Sequence, residues 1–252
     1  MASHPPVPDL RSAAFLLDVD GTLIDFAPTP REVSVPAALR QSLQRLLERT
    51  GGAVALVSGR PVKELDLLFA PLELPIVGGH GAEIRPMPNG ASHDVPVSPL
   101  SEDLRRRLAT IKGDDPRVIL EPKEHSLAIH YRLVPEKEDV IRDAVRIACE
   151  QLAPDSVEIL PGKFVFEIKS IGFDKGTGVR ELMRYPPFAG RRPIFIGDDT
   201  TDEAAIAVMP ELGGIGFSVG REVAGAAGCF DTPDDVRTWL ERASLAEEVS
   251  AH

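Results

Sequence analysis

The sequence predicts an α/β fold: a parallel sheet with helices on both faces, and a smaller α+β domain inserted into it. Short apolar segments alternate with helical patterns up to Gly79 and again from Lys175 onward, as in a parallel sheet. The segment between them contains period-two alternation instead, which favours an antiparallel sheet with one covered face. The 252 residues, 43% of them hydrophobic and 27% charged, suffice for one large or two smaller cores.

The first part of the parallel pattern begins with the apolar run Ala13–Leu17, which stops at Asp18-Val-Asp-Gly-Thr. Such a run predicts a buried strand that feeds a loop. From Pro36 to Thr50, leucines recur at helical spacing between a proline suited to the first turn and the glycine Gly51. The remaining predicted elements of this part are a strand at Ala53–Val57, a helix at Pro61–Phe69 and a strand at Pro75–Gly79.

The middle of the chain has a different pattern. Residues 86–99 are loop-like, and Asn89-Gly90 indicates a hairpin turn. The predicted elements that follow are a helix from Leu100 to Ile111, a strand at His125–Arg132, a helix at Glu136–Leu152 and a strand at Phe164–Lys169. We therefore predict a core domain of residues 1–99 and 170–252, and an inserted α+β domain of residues 100–169.

The parallel pattern resumes after the insert. A helix is predicted at Lys175–Tyr185, and a short strand at Pro193–Ile196 ends at Gly197-Asp-Asp. A helix at Thr201–Met209 and a strand at Gly214–Val219 follow, and Trp239 is interpreted as core packing of a terminal helix.

Composition excludes several classes of function. The net charge is −11 and basic residues form no long run, which argues against non-specific nucleic-acid binding. No apolar run approaches the ~20 residues of a membrane helix. Cys149 and Cys229 lie far apart and predict no disulfide framework, which fits a reducing cytoplasm. We expect a cytoplasmic monomer that acts on a small molecule.

Polar clusters follow three of the predicted strands, at Asp18–Thr22, Ser58–Arg60 and Gly197–Glu203. Ligands of open parallel sheets bind beyond the carboxyl ends of the strands, so these clusters are expected to meet. Grouped carboxylates need a cation, and an oxygen-only donor set suits Mg²⁺. For each loop taken alone, a turn with a helix N-cap remains the alternative.

These clusters resemble a known superfamily. Asp18-Val-Asp-Gly-Thr-Leu, Ser58, Lys175 and Gly197-Asp-Asp match, in order, the four motifs of the haloacid dehalogenase-like (HAD) superfamily. The resemblance implies a Rossmann-like core and a Mg²⁺-dependent phosphatase. It also implies that Asp18 is the nucleophile and that Asp20 is first the general acid and then the base. An aspartate rather than a threonine at position 20 favours rapid hydrolysis of the phospho-enzyme.

The same resemblance assigns the remaining core residues. It implies that phosphate is bound by Thr22, Ser58, Gly59 and Lys175. It implies that the metal is bound by Asp18, Asp20 through its carbonyl, Asp198 and Asp199. Asp202 is either a metal ligand or a hydrogen-bond partner of a ligand. The chemistry agrees, because a dianionic phosphate repels an attacking carboxylate unless cations neutralise both.

A narrower resemblance links the chain to trehalose-6-phosphate phosphatases. It rests on Gly79-His-Gly-Ala-Glu83, Glu121-Pro-Lys123, Ser126–Arg132, Gly162–Glu167 and Gly197–Glu203. It implies that the insert is a lid-like cap that selects trehalose 6-phosphate. The candidate substrate-binding residues of this cap are Lys123, His130, Arg132, Lys163 and Glu167. A solvated sheet face with ordinary salt bridges is the alternative for this set.

Two other functions remain open. One is a related enzyme with another substrate: a phosphatase for sucrose phosphate or a glucosyl polyol phosphate, or a phosphosugar mutase. The other is a non-catalytic regulatory module, against which the intact Asp18, Asp20, Lys175 and Asp198 argue. We expect neither His80 nor His125 to bind a metal, and the sequence has no histidine–cysteine cluster suited to zinc.

Overall fold

The chain divides into two compact units. The computed structural model describes residues 5–25, 33–94, 98–162 and 164–246. Met1–Val95 and Asp174–His252 form the first unit, and Pro96–Phe173 forms the second. Helices of the described ranges fall short of the length and apolar character that crossing a membrane requires.

The strands of the described residues belong to two sheets. In chain order they are β1 (Ala13–Leu17), β2 (Val54–Val57), β3 (Ile76–Gly78), β4 (Glu83–Arg85), β5 (His93–Asp94), β6 (Ile119–Pro122), β7 (Ser126–His130), β8 (Val157–Gly162), β9 (Val165–Ser170), β10 (Arg192–Gly197), β11 (Ile215–Val219) and β12 (Gly228–Phe230). The first unit holds an eight-stranded sheet of order β12-β11-β10-β1-β2-β3-β4-β5. The second holds a four-stranded sheet of order β6-β7-β9-β8.

The helices connect these strands. They are α1 (Ala37–Arg49), α2 (Val62–Phe69), α3 (Glu102–Ala109), α4 (Glu138–Leu152), α5 (Lys175–Leu182), α6 (Thr200–Val208) and α7 (Pro233–Leu245). Short 3₁₀ turns lie at Gly79–Gly81, Thr110–Lys112 and Pro135–Lys137.

The large sheet is buried on both faces. β1 lies between β10 and β2 and is parallel to both. Because successive side chains of a strand point to opposite faces, Phe15 of β1 joins the cluster that contains α1 and α7, whereas Leu16 joins the cluster that contains α5 and α6. The predicted parallel sheet with helices on both faces is therefore confirmed.

The second unit is an antiparallel sheet with helices on one face. Leu127 and Ile129 of β7 and Phe166 of β9 pack with buried residues of α3 and α4. Ala128 alternates with Leu127 and Ile129 and therefore points to the opposite face. Its neighbours on the adjacent strands are Glu121 of β6 and Glu167 of β9, so this face carries polar side chains.

The main differences from the predicted elements are edge strands that were not predicted, β6 and β8 in the small sheet and β12 in the large one. β3 ends at Gly78 rather than Gly79, since Gly79 has a φ of +55° and begins a 3₁₀ turn. The hairpin suggested by Asn89-Gly90 exists, with β4 and β5 paired antiparallel on either side of it. Pairing with β3 makes this hairpin the antiparallel edge of an otherwise parallel sheet.

Candidate active site

Three adjacent strands deliver polar side chains to one edge of the sheet. Leu17 of β1 pairs with Ile196 of β10 on one side and with Leu56 of β2 on the other. Asp18, Asp198 and Ser58 follow these strands directly. The carboxyl ends of parallel strands meet at one edge, and the sequence motifs are brought together there.

A group of three carboxylates forms the centre of this edge. One oxygen each of Asp18, Asp198 and Asp202 lies within 4.8 Å of the others. Oδ2 of Asp202 accepts hydrogen bonds from the backbone N–H groups of Asp198 at 3.1 Å and Asp199 at 3.0 Å. Gly197 permits this packing, because a Cβ there would lie 2.3 Å from Cγ of Asp202.

Lys175 joins two of these carboxylates. Its buried ammonium Nζ donates to Oδ1 of Asp18 at 2.7 Å and to Oδ1 of Asp202 at 2.7 Å. Lys175 begins α5, which packs closely against α6: a Cβ on Gly176 would lie 2.4 Å from the carbonyl oxygen of Ala204. A glycine at this position therefore lets the lysine reach both partners.

The group is short of positive charge. Burial raises the pKa of Asp198 to about 8, with further contributions from Asp18 and Asp202. Burial and the charge of Asp18 also raise the pKa of Asp202. Burial alone would lower the pKa of Lys175, but attraction by Asp18 and Asp202 raises it above its usual range. One ammonium thus faces three carboxylates, and full ionisation needs another cation.

The donor set fits a divalent metal ion. Asp18, Asp198 and Asp202 offer oxygen ligands, which Mg²⁺ and Ca²⁺ prefer. Asp199 is placed differently, because its Oδ1 accepts from the backbone N–H of Thr200 at 2.6 Å and caps α6. The structure therefore places Asp202 in this carboxylate group and Asp199 at the helix cap. Metal binding by Asp18, Asp20, Asp198 and Asp199 stays a prediction.

Asp20 forms an ion pair that sequence reasoning missed. The Arg60 guanidinium donates from Nε to Oδ2 of Asp20 at 2.6 Å and from Nη2 to Oδ1 at 2.7 Å. The signal available in the sequence was the position of Arg60 directly after a strand end, in Ser58-Gly-Arg60. The structure thus connects the loops after β1 and β2.

The residues predicted to bind phosphate lie in these same loops. The hydroxyl of Thr22 donates to Oδ1 of Asp198 at 3.2 Å, so Thr22 orients a candidate metal ligand. Ser58 is buried, and its Oγ accepts from the backbone N–H of Arg60 at 3.2 Å. At Gly59, a Cβ would lie 2.4 Å from the ring of His80. Phosphate binding by Thr22, Ser58 and Gly59 stays a prediction.

The polar face of the second unit holds a connected network. Nζ of Lys123 lies 3.1 Å from Oε1 of Glu167, and the hydroxyl of Ser126 donates to the same oxygen at 2.6 Å. Nε2 of His130 lies 2.7 Å from Oε2 of Glu121, and this hydrogen bond lowers the pKa of Glu121. Glu121, which opens the motif Glu121-Pro-Lys123, was not among the predicted substrate-binding residues.

The other predicted residues of this face are less defined. Arg132 is half-buried, two residues beyond the end of β7. Lys163 lies outside the described residues. Substrate binding by these residues stays a prediction.

Comparison with known proteins identifies the family. The trehalose-phosphatase family model matches residues 16–227. A probable trehalose-phosphate phosphatase of Sinorhizobium fredii is 41% identical over 215 residues, which are 85% of this chain and 80% of that protein. The trehalose-6-phosphate phosphatase of Escherichia coli is 39% identical over 235 residues, which are 92% of this chain and 87% of that protein.

Solved structures show the same fold. The C-terminal domain of C. albicans trehalose-6-phosphate phosphatase matches with a TM-score of 0.82 and 20% identity, over 93% of this chain and 92% of that chain. The C-terminal domain of a Candida albicans trehalose synthase regulatory protein matches with a TM-score of 0.69 and 10% identity, over 92% and 93%. At these identities the fold alone is shown, whereas the bacterial relatives and the family model show the family. The chain therefore belongs to the trehalose-phosphatase family of phosphoric monoester hydrolases.

Proposed function

We propose that this protein hydrolyses trehalose 6-phosphate to trehalose and phosphate, with Mg²⁺ as cofactor and an aspartyl-phosphate formed on Asp18. The observation that carries this proposal is the buried contact of Lys175 with Asp18 and Asp202, next to Asp198. The substrate follows from the two bacterial relatives named for it, which are 41% and 39% identical to this chain.

Asp18 is the nucleophile of this proposal. An oxygen of its carboxylate attacks phosphorus as the bond to the sugar oxygen breaks, and Lys175 offsets the charge that would repel the phosphate. Asp18, Asp198 and Asp202 would hold the Mg²⁺, which neutralises charge on the transferring phosphoryl group when it is bound.

Asp20 moves the proton in both half-reactions. As a carboxylic acid it protonates the sugar oxygen that leaves, because an alkoxide is a poor leaving group. The resulting carboxylate then takes a proton from water, which attacks the phosphorus of the aspartyl-phosphate and releases Asp18. The divided reaction replaces one difficult displacement with two easier ones.

The second unit supplies substrate specificity in this proposal, as a cap domain. Its polar sheet face offers carboxylate acceptors at Glu121 and Glu167 and donors at Lys123 and His130. A disaccharide presents many hydroxyl groups, and partners of this kind reject analogues that lack a matching hydroxyl.

A substrate panel tests the proposal. Phosphate release from trehalose 6-phosphate, sucrose phosphate, a glucosyl polyol phosphate and glucose 6-phosphate is measured with Mg²⁺ and with excess chelator. We expect the highest kcat/KM for trehalose 6-phosphate and no turnover in chelator. Preference for another sugar phosphate would replace the substrate but keep the phosphatase, and absence of release from every ester would favour a regulatory module.

The covalent intermediate has its own test. Borohydride reduces an acyl-phosphate, so quenching during turnover should convert the aspartate at position 18 to homoserine, which mass spectrometry locates. Modification at another aspartate would reject Asp18 as the nucleophile.

A further inference from the structure

Arg60 is built into the same edge of the sheet as the carboxylate group but touches a different acid. Its two parallel hydrogen bonds to Asp20 measure 2.6 Å and 2.7 Å. A planar guanidinium paired in this way fixes the plane of a carboxylate as well as its position, which a lysine cannot do. The pair is part-buried, so water screens it less than a surface pair.

The backbone of Arg60 is itself held from two sides. Its N–H donates to Oγ of Ser58 at 3.2 Å, and its carbonyl accepts from the N–H of Gly79 at 2.9 Å. These two hydrogen bonds connect the backbone of Arg60 to Ser58 within the loop after β2 and to the 3₁₀ turn after β3. Arg60 therefore presents its guanidinium from a backbone position that two hydrogen bonds hold in place.

The pairing leaves room for proton transfer. A carboxylate has about four lone-pair sites, of which the two hydrogen bonds from Arg60 use one on each oxygen. A proton can therefore sit on one oxygen of Asp20 while Arg60 holds the group in place. Orientation of this kind matters, because a misplacement of about 1 Å can cost about 10²-fold in rate.

We infer that Arg60 is a positioning residue, which holds the carboxyl group of Asp20 in the orientation needed to protonate the leaving sugar oxygen and later to deprotonate water. This inference rests on the proposed phosphatase function. Arg60 gains and loses no proton, because the proton passes between Asp20 and the substrate oxygen or water.

The chemistry of the leaving group separates positioning from a structural role. An alkoxide such as a sugar oxygen needs the proton from Asp20 as the P–O bond breaks, whereas p-nitrophenolate is a stable anion that leaves without one. A misplaced Asp20 therefore slows phosphoryl transfer from a sugar phosphate and spares transfer from p-nitrophenyl phosphate. Hydrolysis of the aspartyl-phosphate slows for both, because both form the same intermediate.

The experiment compares Arg60→Lys and Arg60→Ala with the wild-type full chain in Mg²⁺, using trehalose 6-phosphate and p-nitrophenyl phosphate. We expect kcat/KM for the sugar phosphate to fall by about 10²-fold, while that for p-nitrophenyl phosphate changes by less than about threefold. A pre-steady-state burst of p-nitrophenolate should appear in both variants, since hydrolysis of the intermediate becomes rate-limiting. Methylguanidinium should partly restore Arg60→Ala.

Arg40→Lys is the matched control. Arg40 also donates through its guanidinium in the first unit, but to the backbone carbonyls of Val35, Leu68 and Phe69. Its replacement should lower the melting temperature and leave the ratio of the two kcat/KM values unchanged. If Arg60→Lys lowers both kcat/KM values by one factor, or neither, the positioning role is wrong while the phosphatase stands.

The wild-type activities distinguish a failure of the proposed function from a failure of the role of Arg60. If wild type prefers another sugar phosphate, that ester replaces trehalose 6-phosphate in the comparison, and selective loss in Arg60→Lys still supports the inference. If wild type releases phosphate from no ester, both the proposed function and the role of Arg60 are overturned.

Discussion

The ammonium of Lys175 holds two carboxylates that would otherwise repel each other. Both Asp18 and Asp202 are buried, as is Lys175. Removal of one partner from a buried ionic group lowers the free energy of unfolding by more than the intact group contributes to it, because an uncompensated charge stays buried. This residue should therefore support stability as well as catalysis.

Lys175→Met should abolish turnover and lower the free energy of unfolding by about 3–5 kcal/mol near neutral pH, because Asp18 and Asp202 lose their counter-charge. The loss should shrink at about pH 5, where Asp202, whose pKa is raised to about 7, is protonated; Asp198, with a pKa raised to about 8, is already largely protonated near neutral pH. Urea unfolding at the two pH values measures both. Lys137→Met, which breaks a more exposed pair with Asp115, serves as the control and should change stability little. A pH-independent loss in Lys175→Met would contradict this account.

Asp18→Asn and Asp20→Asn should fail in different ways. The first variant has no nucleophile, so we expect neither turnover nor aspartyl-phosphate. The second keeps the nucleophile but loses acid–base help worth about 10²–10⁴-fold, so the intermediate should accumulate with p-nitrophenyl phosphate. Mass spectrometry of acid-quenched samples checks this, and robust turnover by Asp18→Asn would remove it from the mechanism.

Sequence reasoning located the candidate site residues better than their partners. Asp18, Asp198 and Lys175 could be placed because strand ends and motif order are visible in a single sequence. The distinct positions of Asp199 and Asp202 were not visible, because both acids cap the start of α6 and only the side-chain directions bring Asp202 into the buried carboxylate group. The pairing of Arg60 with Asp20 was missed for the same reason.

At the scale of elements, the contact of α5 with α6 sets the position of Lys175. Gly176→Ala should lower the free energy of unfolding by about 1–3 kcal/mol and also lower kcat, because its Cβ would meet the carbonyl oxygen of Ala204 at 2.4 Å. Gly228→Ala is the control, since the nearest atom to its Cβ would be in ordinary contact at 3.5 Å. Thermal melts and phosphate release measure the two effects. Equal stability of both variants would show that the helices separate easily.

The polar sheet face of the second unit should matter for the sugar and not for the phosphate. We expect Glu167→Ala to reduce kcat/KM for trehalose 6-phosphate far more than for p-nitrophenyl phosphate, because Lys123 and Ser126 lose their shared acceptor. Part of this loss should appear in kcat, since remote binding energy supports the reactive geometry. Glu150→Ala, which removes an exposed partner of Arg146 in α4, should affect neither ester. An identical loss for both esters would mark Glu167 as structural.

Elements with strong periodicity were predicted from sequence, and short edge elements were not. The leucine spacing of α1 and the apolar runs of β1 and β2 carried enough signal to place them within one or two residues. β6 and β8 were missed, because β6 contains Glu121 and Pro122 and β8 contains Pro161 and Gly162, residue types that are uncommon in strands. β12, with three residues, is too short to show a period.

For the whole molecule, metal binding should be linked to pH through the carboxylate group. The pKa values of Asp198 and Asp202 are raised by folding, so the stability that their protonation supports is present at low pH and is lost as the pH rises through these values. The metal binds the ionised acids and should therefore stabilise more at high pH.

Melting temperatures in chelator should fall between about pH 6 and pH 8, and added Mg²⁺ should raise them more at the higher value. At a Mg²⁺ concentration a hundred times its Kd, bound metal raises the free energy of unfolding by about 2.7 kcal/mol. Asp198→Asn should reduce the gain, whereas Asp234→Asn, an exposed change in α7, should not. Equal gains at both pH values would argue against a metal site built from these acids.

The sheet order also has a consequence for protein synthesis. Ala13 pairs with Arg192, so β1 finds one of its two neighbours only after most of the sequence has left the ribosome. A nascent chain therefore displays Asp18 long before Lys175, Asp198 and Asp202 emerge to surround it, and one side of β1 stays unpaired meanwhile. Translation that stops before Lys175 would yield a polypeptide with Asp18 but without Lys175, Asp198 and Asp202. We therefore expect prematurely terminated chains to need chaperones and to have no phosphatase activity.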